Sequence, residues 1–143
     1  MRLWHKDLIP VLPRQQLIAQ WRECCCIARN IAVNGTPNHI LVNKILDYPI
    51  DHFWNYTELV IFEMKERGYS VDVEKFLQHY RKIGKAWAKP LDDNIYQDWH
   101  NDRYFLQCYC NLQEKYDCGG IPEDEWSRIE KEFGRIWEKV FTY

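Results

Sequence analysis

Three polar side chains near the start of the chain recur at helical spacing and end in a carboxylate. Gln16, Gln20 and Glu23 follow one another at steps of four and three residues, which predicts that one side of a helix carries all three. Trp21 precedes Glu23 by two positions, about 200° around a helix, and therefore faces another side. A carboxylate on such a face can stabilise a cationic transition state and transfer protons.

The α-amino group of Met1 is the second group with useful chemistry. Only about a dozen residues separate it from the predicted helix, and Pro10 and Pro13 turn the chain, so the first residues should run close to Glu23. An α-amine has an ordinary pKa of about 7.7–8.0, so a fraction of it is neutral and nucleophilic at pH 7. The alternative is that Glu23 is simply an exposed glutamate on an amphipathic helix.

Positive charge is concentrated in two regions of a chain whose net charge is −2. The net charge argues against indiscriminate binding to nucleic acid, but a local basic patch can still bind a phosphate backbone. The alternative is a merely solvated charged face. Basic residues within 1–46 are Arg2, Lys6, Arg14, Arg22, Arg29 and Lys44, and a second run contains Arg81, Lys82, Lys85 and Lys89.

Hydrophobic periodicity predicts helices along the whole chain, and no segment shows the alternation of a strand. We therefore expect an all-α fold in which one compact domain spans 1–143 and an irregular segment at 1–12 packs against the helices. Gly35, Gly68 and the pair Gly119-Gly120 mark predicted helix ends. The predicted helices cover about 13–34, 51–67, 73–83, 95–117 and 122–143, with a short helix or turn at 39–42 and a basic loop at 84–93.

The six cysteines lack the spacing of a metal or redox motif. We expect reduced, buried thiols without metal, and a thiol or metal site on the run Cys24–Cys26 is the alternative. The chain has no signal-peptide pattern and no apolar run of about 20 residues, which predicts a cytoplasmic protein without a membrane span. The cysteines are Cys24, Cys25, Cys26, Cys108, Cys110 and Cys118.

Three motifs in the same order resemble a known enzyme family. The start Met1-Arg2-Leu3-Trp4, followed by QLIAQWRE from Gln16 to Glu23, resembles the pyrimidine-dimer DNA glycosylases of the phage endonuclease V type. That family begins with a short Arg-hydrophobic segment, followed by a helix that contains a His-Leu-hydrophobic-Ala-Glu-Tyr-Arg-Glu run. The segments EMKERGY at 63–69 and LQEK at 112–115 are similar to two later family motifs.

The resemblance implies an all-helical, monomeric enzyme that uses no metal or cofactor and acts on cyclobutane dimers in damaged double-stranded DNA. The N-terminal α-amine of that family attacks C1′ of the sugar, forms a Schiff base and nicks the strand by β-elimination. Carried over, the amine belongs to Met1, because methionine is retained before a residue as large as Arg2, and the catalytic carboxylate is Glu23.

The resemblance also implies that Arg2 and Arg22 bind phosphates near the lesion. We expect Arg14 and Lys44, and from the second run Lys85 and Lys89, to line the same face as Glu23. The alternative function is a non-catalytic helical module of the same fold that binds a protein or a nucleic acid.

Overall fold

Helices account for all regular secondary structure in the described chain. The computed structural model describes residues 1–86 and 94–141, with side chains as far as residue 136. Within these ranges it contains no strand, so the predicted all-α fold is confirmed. The α-helices are α1 (Arg14–Asn34), α2 (Asp51–Glu66), α3 (Glu74–Tyr80), α4 (Asp102–Asp117) and α5 (Glu123–Phe141), and two 3₁₀ helices cover Lys6–Val11 and Asn43–Asp47.

Helix α1 packs against both α2 and α3 and has the predicted bounds. Pro13 precedes its first residue, and Gly35 ends it with a φ of 77°, a left-handed conformation that glycine adopts without strain. The predicted apolar stripe is buried, which confirms that this face of α1 meets the other helices. Its members are Leu17, Trp21, Cys24, Ala28 and Ile31.

The predicted irregular segment at the start of the chain is confirmed, and Lys6–Val11 form a 3₁₀ helix within it. His5 caps this helix, because its Nδ1 accepts the Asp7 N–H at 3.1 Å. Pro10 lies inside it and removes only one backbone donor from a very short element. The helix buries Leu8 and Ile9 and packs against α2 and α5, so tertiary burial compensates for the proline.

The predicted helix at 95–117 begins seven residues later than expected. Asn101 caps α4 by accepting the Tyr104 N–H at 2.9 Å, and turns occupy 94–99. Tyr96 has a φ of 52°, which no α-helix accommodates, and its ring is fully buried. The apolar residues of this segment therefore reach the core through a chain reversal. The short helix or turn predicted at 39–42 is a turn at 40–42, and the 3₁₀ helix Asn43–Asp47 follows it.

Two buried histidines join the first 3₁₀ helix to the segment before α4. His5 Nε2 donates to the His100 carbonyl at 2.9 Å, and the Lys6 N–H donates to His100 Nδ1 at 3.0 Å. The two rings lie 5.1 Å apart, and His100 Nε2 is buried without a hydrogen-bond partner. Burial lowers the pKa of His5, and it lowers the pKa of His100 to about 2. Both rings are thus neutral at pH 7.

The cysteines are free, and the prediction that they are buried is wrong for half of them. Cys24 and Cys108 are buried, and Cys25 is half-buried. Burial raises the pKa of the Cys25 thiol to about 11. Cys26, Cys110 and Cys118 are exposed, because they lie on or beyond the outer faces of α1 and α4. Across 1–86 and 94–136 no three His, Cys, Asp or Glu side chains are grouped as metal ligands.

None of the helices in the described ranges is long and apolar enough to cross a membrane.

Acidification should lower the free energy of unfolding because of His100. Below about pH 6.5 the unfolded chain binds a proton at this residue, whereas the native chain does so only near pH 2. Stability from this group is therefore lost as pH falls, by up to about 1.4 kcal/mol per pH unit. The free energy of unfolding, measured by urea denaturation at several pH values, should change with pH between 6.5 and 4.5 with a smaller slope for His100→Asn than for the unchanged protein. Asparagine at this position still offers an acceptor to the Lys6 N–H. Equal slopes in the two proteins would contradict this.

Candidate functional site

The start of the chain lies against Glu23. The backbone N–H of Arg2 donates to Glu23 Oε2 at 3.3 Å. Since one residue separates this amide from the α-amino group, standard backbone dimensions limit the distance from the Met1 nitrogen to Glu23 Oε2 to about 7 Å. Met1 is 39% exposed and Glu23 is half-buried, so neither residue is enclosed in the core. The pair forms an open site that combines an amine and a carboxylate.

Gln20 attaches this segment to α1. Its fully buried amide accepts the Trp4 N–H at 2.8 Å and donates to the Arg2 carbonyl at 3.0 Å. The predicted polar stripe placed Gln20 beside Glu23, and the structure shows that Gln20 also belongs to the buried face. The signal was present in the sequence, because Gln20 stands three residues after Leu17 and four before Cys24.

Two tyrosines bind the next two carbonyls of the segment. Tyr104 donates its hydroxyl to the Leu3 carbonyl, and Tyr56 donates to the Trp4 carbonyl, both at 2.5 Å. Burial raises the pKa of both phenols, so their hydroxyls remain protonated donors at neutral pH. Gln20 donates to the Arg2 carbonyl, so the helices bind three consecutive carbonyls through side chains. The main chain that directly follows Met1 is therefore held by the helices.

The side chain of Arg2 lies between an indole ring and a pocket. Its guanidinium carbon is 5.1 Å from the centroid of the Trp4 ring, within the range of a cation–π contact. Its Nη1 is 3.8 Å from Cys108 Sγ. Arg2 also lines a pocket of about 550 Å³ beside the start of the chain. The Arg2 side chain therefore both contacts Trp4 and contributes to the lining of that pocket.

This pocket combines a cationic rim with an apolar and aromatic wall. Among the described residues, its basic members come from three separate segments, namely Arg2, Lys44 and Arg103, and its acidic member is Asp98. Arg103 was missed in the sequence, since it stands alone in the first turn of α4 and belongs to no basic run. The remaining lining residues are Ile40, Leu41, Trp99, Asn101, Tyr104 and Gln107.

The structure brings together some of the predicted DNA-binding residues. Arg2 and Lys44 share the pocket, and Arg22 is exposed on α1 next to Glu23. The Arg14 guanidinium lies 5.9 Å from the ring centroid of Tyr69, and nine residues, or about 13 Å of helix, separate Arg14 from Glu23.

Two of the predicted residues come from the second basic run. Lys85 lines another pocket, of about 610 Å³, together with Trp54 and Glu58. Lys89, with most of the predicted loop at 84–93, lies outside the described residues. The structure therefore does not bring Lys85 into the pocket of Arg2 and Lys44.

A protein-family model described as pyrimidine dimer DNA glycosylase matches residues 1–77 of the chain. The match includes the start of the chain, all of α1 and α2, and the segment with Lys44. It ends before Trp99, Arg103 and Tyr104, which complete the pocket. Neither the curated proteins nor the solved structures include a match to the chain.

Replacing Gln20 should release the start of the chain. Gln20→Leu leaves the buried Trp4 N–H without an acceptor, which should lower the free energy of unfolding by about 1–3 kcal/mol. Urea denaturation measures that loss, and hydrogen exchange at the Trp4 amide should become faster. Gln16→Leu, one turn earlier, is the matched control, because the Gln16 Oε1 is buried without a partner and its loss should be close to neutral. An equal loss in both variants would argue against an anchoring role for Gln20.

Proposed function

Since the chain belongs to the pyrimidine dimer DNA glycosylase family, we propose that it excises dimerised pyrimidines from double-stranded DNA and then cleaves the strand as an AP lyase. The α-amine of Met1 is the nucleophile in this proposal, and Glu23 is the catalytic carboxylate. The observation that carries the proposal is the hydrogen bond from the Arg2 N–H to Glu23 Oε2, because it sets the amine within about 7 Å of a half-buried carboxylate.

The proposed reaction begins when the neutral amine attacks C1′ of the damaged nucleotide. The C1′–N bond to the base breaks as the new C–N bond forms, and the base leaves with the electron pair. The amine then loses a proton, the ring oxygen gains one, and the opened sugar is bound to the protein as an imine. Removal of a proton from C2′ expels the 3′ phosphate and nicks the strand.

Glu23 has two roles in this scheme. Positive charge develops on the sugar as the base leaves. A carboxylate within about 7 Å of the attacking amine stabilises that charge. The same group accepts and returns protons during imine formation and elimination. Because the carbonyls of Arg2, Leu3 and Trp4 are bound by side chains, little conformational entropy remains to be lost when the amine reaches C1′.

DNA binding in this proposal uses the cationic rim beside the amine. Arg2, Lys44 and Arg103 line one pocket, and Arg22 is exposed on the helix that carries Glu23. Guanidinium and ammonium groups bind phosphate oxygens and so position the duplex, without reading its sequence. Because the chain as a whole has a net charge of −2, this local group of cations supports DNA binding at this face rather than elsewhere.

Two changes should separate the two chemical roles. Glu23→Gln retains an acceptor for the Arg2 N–H, so stability should change by no more than about 0.5 kcal/mol. Base release from a dimer-containing duplex should fall by about 10²–10³-fold, since a well-placed charge is lost. Acetylation of the Met1 amine should abolish borohydride trapping on an abasic duplex, because an amide nitrogen forms no imine.

Glu66→Gln is the matched control for the first change, since Glu66 is an exposed glutamate at the end of α2. It should release bases at the rate of the unchanged protein. Full activity in Glu23→Gln, together with full trapping by the acetylated protein, would refute the assignment of these two groups. A complete lack of activity in the unchanged protein would favour the non-catalytic module.

Salt dependence should identify the phosphate contacts. Each contact contributes about −0.9 to the slope of log K against log salt on duplex DNA. Lys44→Gln and Arg103→Gln should therefore each make the slope shallower by about 0.9 in fluorescence anisotropy titrations. Lys115→Gln, at the far end of α4, is the control and should leave the slope unchanged. Unchanged slopes in the two pocket variants would place the DNA on another surface.

A further inference from the structure

We propose that Ile40 and Leu41 form a wedge that enters the base stack of the substrate next to the lesion. The inference rests on the proposed function, and it assigns a role to a segment that the catalytic scheme does not use. Both side chains line the pocket that Arg2 and Lys44 share. The wedge therefore lies on the same face as the proposed nucleophile.

Both side chains are left in water in the free protein. Ile40 is 83% exposed and Leu41 is 48% exposed, so two neighbouring large apolar groups project from one turn. Single exposed apolar residues are common on protein surfaces. An adjacent pair on the wall of a cationic pocket is different, because its burial in a complex would contribute favourably to binding at that place.

The turn that carries the wedge is tightly fixed by local hydrogen bonds. The His39 carbonyl accepts the N–H groups of Val42 and Asn43 at 3.0 and 2.9 Å. Asn43 Oδ1 accepts the His39 N–H at 3.0 Å, and His39 Nδ1 accepts the Leu41 N–H at 3.3 Å. Val42 is fully buried directly after the tip. A tip fixed in this way loses little conformational entropy when it is inserted.

The charges around the wedge favour DNA over a protein partner. Lys44 and Arg103 are exposed and line the same pocket, with Arg2 beside them. A stacked pair of bases offers flat apolar faces between two anionic backbones, which matches an apolar tip between cations. Proteins that kink DNA insert Leu, Ile, Phe or Met side chains between base steps in this manner.

The wedge should contribute only where a stack has to be opened. In a paired duplex, insertion of the two side chains replaces the stacking that is lost at the lesion. A single strand with the same lesion is already free to bend, so the same side chains add little. The ratio of activity on duplex to activity on single strand is therefore the quantity that distinguishes a wedge from a general contact.

The test compares the double variant Ile40→Ser, Leu41→Ser with the unchanged protein on one dimer-containing strand, paired and unpaired. We expect kcat/KM to fall by about 10- to 100-fold on the duplex and by less than about threefold on the single strand. Val33→Ser, an apolar residue 71% exposed at the end of α1, is the matched control and should match the unchanged protein on both substrates. Ile40→Phe keeps an apolar tip and should retain duplex activity.

A second measurement needs no catalysis. A 2-aminopurine base beside the lesion should brighten when saturating unchanged protein binds the duplex, because it is unstacked, and should stay dim with the double variant. Equal losses on duplex and single strand, or unchanged activity and brightening in the double variant, would overturn the wedge and leave a protein partner as the alternative for the tip. Failure of the unchanged protein to form a borohydride-trapped adduct would instead count against the proposed function, and the 2-aminopurine signal would still decide the wedge.

Discussion

The hydrogen bonds to the main chain of Arg2, Leu3 and Trp4 are the constraint on which the rest of the site depends. The start of a chain is usually its least ordered part. Here the carbonyls of Arg2, Leu3 and Trp4 are bound by Gln20, Tyr104 and Tyr56, which lie on three different helices or their borders. All of these bonds use backbone atoms of the segment. The Arg2 side chain is therefore not needed for anchoring and can face the pocket.

The groups that anchor the segment are uncharged, and this affects the electrostatics of the site. Burial lowers the pKa of His5 and His100 and raises the pKa of Tyr56 and Tyr104, so all four rings are neutral at pH 7. The charges near the amine are then those of the half-buried Glu23 and of exposed or half-exposed side chains that line the pocket. Such charges can contact a phosphate backbone without the cost of desolvating a buried ion.

Segments distant in sequence meet at this face, and the family match covers only some of them. Residues 1–77 supply the start of the chain, Glu23, the wedge and Lys44. Trp99, Arg103 and Tyr104 come from beyond the match, yet they close the pocket, and Tyr104 also binds the Leu3 carbonyl. The C-terminal part of the chain thus contributes directly to the position of the first residues.

The sequence by itself determined the helices with local signals and the placement of Glu23. The bounds of α1 follow from apolar residues that recur at helical spacing between Pro13 and Gly35. The same helical spacing places Glu23 and Trp21 on different faces of the helix. Only the tertiary structure decided that the residues at 94–100 leave the helix. The spacing of their apolar residues resembles that of a helix, whereas burial of their rings against His5 and Tyr56 favours a reversal of the chain. The pocket was likewise beyond the sequence, since the proximity of Arg2, Lys44 and Arg103 arises from packing between distant segments.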